Sequence, residues 1–192
     1  MARPVSFGED FSGIFDWFGQ SAFRLETLDH YAMDYEEEAV RRFLAGEPRD
    51  TSYIDGWLQR VRAAGAGGRR MQRVHVVSEP LSDYLRFEIT GYRLNVEAGE
   101  DVRILPRQAT AGLDLPDHDF WLFDGQQVVC MRYDGDGAFL GAEQIDDPGA
   151  AARYRVWRDA ALGAAIPYDR YVAQHREELE MLRSASRRGG VV

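Results

Sequence analysis

The sequence predicts a single α/β (α+β) domain in which a mixed β-sheet is covered by helices. The 192 residues match the size of one domain, and apolar residues make up 45% of them, enough to form a core. A strand–helix–strand order over residues 70–106 is followed by a run of short strands up to residue 145. Helical periodicity at both ends predicts helices that flank the sheet. We expect one domain over residues 1–183 and a flexible tail over residues 184–192.

The first quarter of the chain predicts two helices and one strand. Apolar residues recur at helical spacing between Asp10 and Phe18, and the alternation over Ala22–Thr27 predicts a short strand. A longer amphipathic helix is predicted over Tyr31–Ala45, ended by Gly46 and Pro48. Its predicted buried stripe and the ion pairs on its exposed face comprise Tyr35, Val40, Phe43 and Leu44, and Glu37–Arg41 and Glu38–Arg42.

The central elements have clearer boundaries. Ser52 and Asp55 resemble a capping box for a third helix, which ends at the glycine-rich residues 64–68. A strand is predicted over Arg70–Val77. Ser82 is the expected N-cap of a long helix, and the strand Asp101–Pro106 follows it.

The last third predicts a meander and then helices. Strands over Asp119–Asp124 and Gln127–Tyr133 are joined by a tight turn, and residues 134–137 predict a further hairpin. Asp147 followed by Pro148 predicts a helix start, because aspartate caps the first turn and proline fits its first position. Helices continue from there to residue 182, with a break at Pro167.

The chain contains 23 arginines and no lysine. A phosphate-binding P-loop, Schiff-base chemistry and lysine-dependent kinase mechanisms are therefore excluded. The single cysteine, Cys130, lies inside an apolar strand, where burial is expected to raise its pKa and make it a structural residue. The four histidines show no metal-ligand spacing, so we predict neither a metal nor a cofactor.

The charge and hydropathy predict a cytoplasmic protein. A net charge of −9 opposes phosphate backbones and anionic membranes, so we expect neither direct nucleic-acid binding nor membrane binding. The N-terminal residues lack the pattern of a signal peptide, and no apolar run approaches the roughly 20 residues that span a bilayer.

Charged and hydrogen-bonding side chains interrupt four segments that otherwise belong to the core. Because side chains alternate along a strand, Arg24 and Glu26 share one face, as do Arg73 and His75. Residues four apart are neighbours on a helix, which places Tyr84 beside Glu88. The full set of candidate ligand-binding residues is Arg24, Glu26, Arg73, His75, Tyr84, Arg86, Glu88 and Asp119.

Two interpretations of these residues remain open, because an unpaired charge in the core is strongly destabilising. In the first, Arg24, Arg73 and Arg86 pair with Glu26, Glu88 or Asp119 as structural ion pairs. In the second, the arginines line a pocket that binds a small anionic ligand through their guanidinium forks.

Four segments resemble an uncharacterised actinobacterial family, a domain of unknown function whose members are often encoded beside helix-turn-helix regulators. They are "FRLETLDHY", "RVHVVSEPLSDYLRFE", "NVEAGEDVRILPR" and "DFWLFDGQQVV", followed by "DDP" and "RYRVWRDAAL". More distantly, the order of strands and helices resembles one half of the phospholipase-D-like fold, as used in degenerate sensor domains. Active members of that fold need a His-x-Lys pair, so this resemblance implies a site without catalytic activity.

These observations favour a non-enzymatic regulatory or sensor protein, in which homodimerisation is compatible with the sequence. Its expected partner is a small anionic ligand or a helix-turn-helix regulator. The alternative is an enzyme of a specialised-metabolite pathway, with Glu88, Asp119 or Glu26 in acid–base chemistry and arginines clamping an anionic substrate. A toxin-like effector acting on nucleic acid or nucleotides is disfavoured by the acidic charge.

Overall fold

The computed structural model describes residues 2–5, 13–15 and 18–180. Residues 13–15 are helical, whereas most of the helix predicted over Asp10–Phe18 lies outside the described residues. The predicted tail, residues 184–192, also lies outside them.

Eight strands form one mixed sheet in the described part of the chain. They are β1 Ala2–Val5, β2 Ser21–Glu26, β3 Arg70–Val77, β4 Asp101–Pro106, β5 Phe120–Phe123, β6 Gln127–Tyr133, β7 Phe139–Ile145 and β8 Ile166–Pro167. Their order across the sheet is β1-β7-β6-β5-β2-β3-β4-β8. The β2–β3 and β3–β4 pairs are parallel and the other pairs are antiparallel. The predicted mixed sheet is confirmed, whereas the edge strands β1 and β8 were not predicted.

The helices flank both faces of this sheet. Those with both ends among the described residues are α1 Glu37–Leu44, α2 Asp55–Ala66, α3 Asp83–Ala98, α4 Pro148–Ala164 and α5 Tyr168–Gln174. Two predicted caps are confirmed: the Leu85 amide donates to the Ser82 hydroxyl at 3.1 Å, and the Asp147 side chain accepts from the first amides of α4.

The prediction for the helix over Tyr31–Ala45 was wrong at its start and for half of its buried stripe: Val40 and Phe43 pack against the core, whereas Tyr35 and Leu44 are exposed. The helix begins at Glu37, because the Ala32 amide donates to the Gly137 carbonyl and ties residues 31–36 to the β6–β7 hairpin. Tyr35 is 56% exposed and Leu44 is 39% exposed, and Ala39 is the buried residue of the helix. The ion pairs also differ from the predicted ones: they are Arg41–Glu38 and Arg42–Glu47.

The predicted capping box at the start of the third helix is also absent. Ser52–Ile54 form a 3-10 turn, and α2 begins directly after it without a side-chain cap. The Ser52 amide instead donates to the Asp50 carboxylate at 2.9 Å, so the capping contact lies before the 3-10 turn.

Alternation along the strands sends two different sets of side chains to the two faces. On one face, Phe23, Leu25, Val74 and Val76 form an apolar core with α4. The other face carries the polar residues of β2 and β3, and α2 and α3 cover it. This second face is where the candidate residues meet.

Candidate functional site

The strand register brings the polar residues of β2 and β3 into one row. β2 pairs in parallel with β3, so Arg24 lies beside Arg73 and Glu26 lies beside His75. β5 pairs with β2 on its other side and sets Trp121 beside Arg24. The alternation noted in the sequence thus holds, and the two predicted pairs share the same face of one sheet.

Asp119 fixes the first guanidinium of this row. Its carboxylate, 1% exposed, accepts from Arg24 Nη2 at 2.8 Å, from the Thr27 amide at 2.7 Å and hydroxyl at 2.8 Å, and from the Tyr31 hydroxyl at 2.7 Å. Arg24 Nη2 also donates to the Tyr133 hydroxyl at 3.1 Å. Arg24 Nη1 is buried and finds no hydrogen-bond acceptor among the described residues.

Arg73 is held between two carboxylates. Its Nη1 donates to Glu26 at 2.7 Å, and its Nε donates to Glu100 at 2.9 Å. Burial opposes the charge of Glu26, but Arg73 and Arg24 outweigh that effect and lower its pKa to about 2. Arg24 and Arg73 therefore share three carboxylates of the chain itself, those of Glu26, Glu100 and Asp119.

A cavity of about 500 Å³ lies above this row. Its floor is the sheet, one wall comes from α2 and α3, and the remaining wall comes from residues 31–36 and 49–54. Aromatic rings dominate the lining: Phe15, Tyr31, Tyr35, Tyr53, Trp57, Tyr84, Tyr92, Trp121, Tyr133 and Phe139. The cavity thus combines aromatic walls with seven charged side chains, those of Arg24, Glu26, Glu36, Arg49, Arg60, Arg73 and Glu88.

Two carboxylates of the cavity, Glu36 and Glu88, have no ion-pair partner among the described residues. Glu36 accepts from the Tyr84 hydroxyl at 3.1 Å, and Glu88 lies 3.1 Å from the Tyr92 hydroxyl. Burial, followed by repulsion from Glu36 and Glu26, raises the pKa of Glu88 to about 7. Burial raises the pKa of Glu36 as well, with Glu26 adding repulsion and the Tyr84 hydroxyl opposing it.

The Tyr92 hydroxyl holds one proton and faces three groups. They are His75 Nδ1 at 2.8 Å, Glu26 Oε2 at 3.0 Å and Glu88 Oε2 at 3.1 Å. The hydroxyl can donate to only one of them, so its bonds to Glu26 and Glu88 can form together only if one of the two carboxyls is protonated. With Glu26 ionised by its arginines, a proton on Glu88 completes the Glu88–Tyr92 bond, which agrees with the raised pKa of that carboxyl.

Five of the eight candidate residues line the cavity, namely Arg24, Glu26, Arg73, Tyr84 and Glu88. Two more lie directly behind its wall: Asp119 holds Arg24, and the fully buried His75 contacts Tyr92. Arg86 lies elsewhere. It pairs with Asp83 one turn earlier on α3, because position 86 faces away from the sheet that positions 85, 88 and 92 approach.

The arginines show features of both interpretations, structural ion pairs and the lining of a pocket. Arg24 and Arg73 form buried ion pairs, as the structural interpretation predicts, and they also line a cavity, as the binding interpretation predicts. Both guanidiniums expected to bind an anion already bind carboxylates of the chain, although the buried Arg24 Nη1 has no acceptor among the described residues.

Sequence reasoning missed Glu36, Arg49 and Tyr92. Glu36 opens an acidic run that resembles the exposed face of a helix, and Arg49 follows the helix-ending Pro48. Arg49 Nη2 donates to the Phe87 carbonyl and to Thr90, and the guanidinium lies 4.2 Å from the Phe87 ring centroid. The only available signal was the spacing of Glu88 and Tyr92, which places both on the face of Tyr84.

Among the described residues, no helix combines the length and apolar character needed to cross a bilayer. The predicted raised pKa of Cys130 is confirmed, with burial as the main cause.

Comparison with known proteins gives a family and distant structural resemblances. The structure of TrmBL2, an archaeal chromatin protein with a novel mode of DNA binding, is similar with a TM-score of 0.46 and 11% sequence identity. The similarity covers 86% of this chain and 52% of TrmBL2, so the chain spans about half the length of that protein. No curated protein matches the chain.

A family described as a domain of unknown function matches residues 9–173. The resemblance to such a family, expected from the sequence, is confirmed at this level. Since the match covers most of the 192 residues, the chain belongs to the family of domains of unknown function designated DUF6879.

Proposed function

We propose that this protein is a regulatory or sensor protein that binds a small molecule in the aromatic cavity above the sheet. The cavity itself is the observation that carries the proposal. Its volume of about 500 Å³ falls within the range typical of small-molecule sites, and its ten aromatic rings supply the apolar contact that such sites offer. The paired floor of Arg24, Arg73 and Glu26 supports it, because ion pairs hold the polar groups in fixed positions before a ligand arrives.

In this proposal the protein acts in the cytoplasm, and cavity occupancy is passed to a partner such as a helix-turn-helix regulator. Residues 31–54 provide a route, since they contribute to the cavity wall and also carry the short exposed helix α1. The phospholipase-D-like relationship and the actinobacterial origin belong to the same proposal, and neither supplies a functional residue.

Binding is tested by blocking the cavity. Gly56 lies at the cavity wall on α2, and no atom lies within 4 Å of the position that its Cβ would take. We expect Gly56→Trp to keep the fold. We also expect it to abolish the rise in melting temperature that ligands from a panel of metabolites produce in the wild type. Gly65→Trp is the matched control, because Gly65 is exposed on the same helix, outside the cavity, and equally unobstructed.

An unchanged thermal shift in Gly56→Trp would contradict binding in this cavity. The absence of any shift in wild type and control across amines, acids and neutral metabolites would contradict the sensor proposal as a whole.

A second candidate function is acid–base catalysis by Glu88. The pKa of about 7 is that of a group able to exchange a proton near neutral pH, and Arg73 lines the same cavity. An enzyme would deplete one component of a metabolite extract in wild type but not in Glu88→Gln. If mass spectrometry shows no component consumed by the wild type, this candidate is eliminated.

A further inference from the structure

We propose that the ligand of this cavity is an organic cation with an aromatic or aliphatic body, held by the carboxylates of Glu36 and Glu88 against the surrounding tyrosine and tryptophan rings. This inference rests on the proposed function, since it names the chemical class of the ligand. It departs from the anionic ligand that the arginines suggested in the sequence.

The first argument is that the arginines of the cavity already have partners within the protein. Arg24 and Arg73 are engaged by Asp119, Glu26 and Glu100, as described above. Arg49 donates to a carbonyl and two hydroxyls and packs on the Phe87 and Phe43 rings. Arg60 lies over the Phe15 ring, with its charge 5.4 Å from the ring centroid. An anion would have to compete with carboxylates already bound to the two guanidiniums of the floor.

The second argument is the state of the carboxylates. Glu36 and Glu88 are half-buried, line the cavity and form no salt bridge with any described residue. Each is in contact with a tyrosine hydroxyl, Glu36 with Tyr84 and Glu88 with Tyr92, and a hydroxyl leaves the negative charge largely uncompensated. A carboxylate in such surroundings gains most from a cation, because desolvated charge is stabilised chiefly by opposite charge.

The third argument is the character of the walls. Tyr84 and Tyr92, whose hydroxyls contact the two carboxylates, line the cavity, and the rings of Tyr35 and Tyr53 lie 6.3 Å apart in the same lining. The faces of aromatic rings carry negative potential and attract ammonium groups, and rings with nearby carboxylates are the usual surroundings of a bound organic cation. The same rings provide apolar contact for the body of the ligand.

Binding of a cation must be linked to the proton of Glu88. The titratable and charged groups that face Glu88 are Glu26, Glu36, Arg49, Arg73 and His75, from β2, β3 and the segment around α1. The tyrosines that face it are Tyr35, Tyr53, Tyr84 and Tyr92. Since the pKa of Glu88 is about 7 in the empty protein, a cation that requires the ionised carboxylate displaces a proton below neutral pH. Affinity therefore rises with pH.

The test uses three probes with one ring system and different charge: tryptamine, tryptophol and indole-3-acetate. Isothermal titration calorimetry with the full chain at pH 6 and pH 8 gives the affinities. We expect tryptamine to bind most tightly and indole-3-acetate most weakly. The affinity for tryptamine should rise about tenfold from pH 6 to pH 8, because one carboxyl titrates between them and the amine stays protonated. Titration in buffers of different ionisation enthalpy should show proton release at pH 6.

Glu88→Gln should weaken tryptamine binding at least tenfold at pH 8 and reduce its pH dependence, whereas tryptophol binding should change little. Glu97→Gln is the matched control on the exposed face of the same helix, where Glu97 pairs with Arg93. Equal or tighter binding of indole-3-acetate, or tryptamine affinity that does not rise with pH, would overturn the cation assignment.

The two proposals fail in different ways. If none of the indoles binds but other compounds give a shift that Gly56→Trp removes, the cavity binds a ligand and the cation assignment is wrong. If no compound gives a shift that depends on the cavity, the proposed function fails as well.

Discussion

At the scale of single residues, the clearest feature is the buried guanidinium of Arg24, which depends on the carboxylate of Asp119. Asp119 receives four hydrogen bonds and is the main anchor of Arg24, and both side chains are almost completely buried. The residue types were predictable, because charges inside core-forming strands have to be paired. The partners were not, since Asp119 and Arg24 are 95 residues apart and meet only through the β2–β5 register.

Removing Asp119 should therefore expose the cost of the buried guanidinium. We expect Asp119→Ala to lower the free energy of unfolding by about 3–5 kcal/mol, because Arg24 is left charged and without its main partner. The double variant Arg24→Met, Asp119→Ala should recover part of that loss. Urea denaturation of the single and double variants measures both values. An Asp119→Ala loss below about 1 kcal/mol would contradict the pairing described here.

Glu88 should make the empty protein less stable as pH rises. Its pKa is about 7 in the folded protein, above the ordinary value of 4.5, so the folded state holds the proton more tightly than the unfolded state. Stability consequently falls as pH rises from about 4.5 through 7, and the penalty is complete above that range.

Glu88→Gln removes this titration. We expect the variant to be more stable than wild type by about 1–3 kcal/mol at pH 8 and by less than about 1 kcal/mol at pH 5. Thermal unfolding across pH 5–8 measures the difference, with Glu97→Gln as the control. A constant difference between Glu88→Gln and wild type over this range would show that Glu88 is ionised in the folded state throughout.

At the scale of elements, caps and turns were the most predictable parts. Ser82 and Asp147 each cap the expected helix, because a capping residue acts on amides two or three positions away. The start of the helix predicted over Tyr31–Ala45 was misplaced because it depends on distant rather than local contacts. Its first six residues are held by contacts to the distant β6–β7 hairpin, which overrides the helical spacing of Tyr35 and Val40.

The tight turn between β5 and β6 is predictable from the local sequence, and one of its residues also makes contacts with a distant part of the chain. Asp124 and Gly125 both have positive φ, as the tight turn requires, and Asp124 is therefore in a conformation rare for residues other than glycine. Its carboxylate also accepts from the amides of Gly19, Gln20 and Ser21 at 2.7–2.8 Å, tying the entry of β2 to the hairpin. Partial burial opposes the charge, but these amides lower the pKa of Asp124.

Asp124→Ala should remove these three bonds and add backbone strain. We expect a loss of about 2–3 kcal/mol in the free energy of unfolding near neutral pH, and a smaller loss for Asp124→Asn, which tolerates positive φ and keeps one acceptor. Because the folded pKa is lowered, the stabilisation is present above the unfolded pKa and is lost as pH falls through the folded one. Chemical denaturation at pH 7 and pH 3 should show the Asp124→Ala difference shrinking at the lower pH.

At the scale of the whole molecule, the sequence predicted the class of sheet but not its order. The helical segment between β3 and β4 indicates their parallel pairing, whereas the position of β2 between β3 and β5 depends on contacts across the chain. That position decides the site, because it aligns the polar row of β2 with that of β3. The sequence identified five residues of the cavity lining but neither its aromatic walls nor its charge, which depends on which arginines pair with carboxylates.

The walls of the cavity contain two of the four tryptophans, Trp57 and Trp121, whereas Trp157 packs with Tyr154 on the opposite face of the sheet. Trp57 donates to Glu100 at 3.3 Å, and Trp121 lies under the Arg24 guanidinium at 5.4 Å. Indole emission responds to nearby charge and to water, and a ligand in the cavity changes both. The protein therefore carries an intrinsic optical reporter at its proposed binding site, so that non-fluorescent compounds can be screened by their effect on emission without any label.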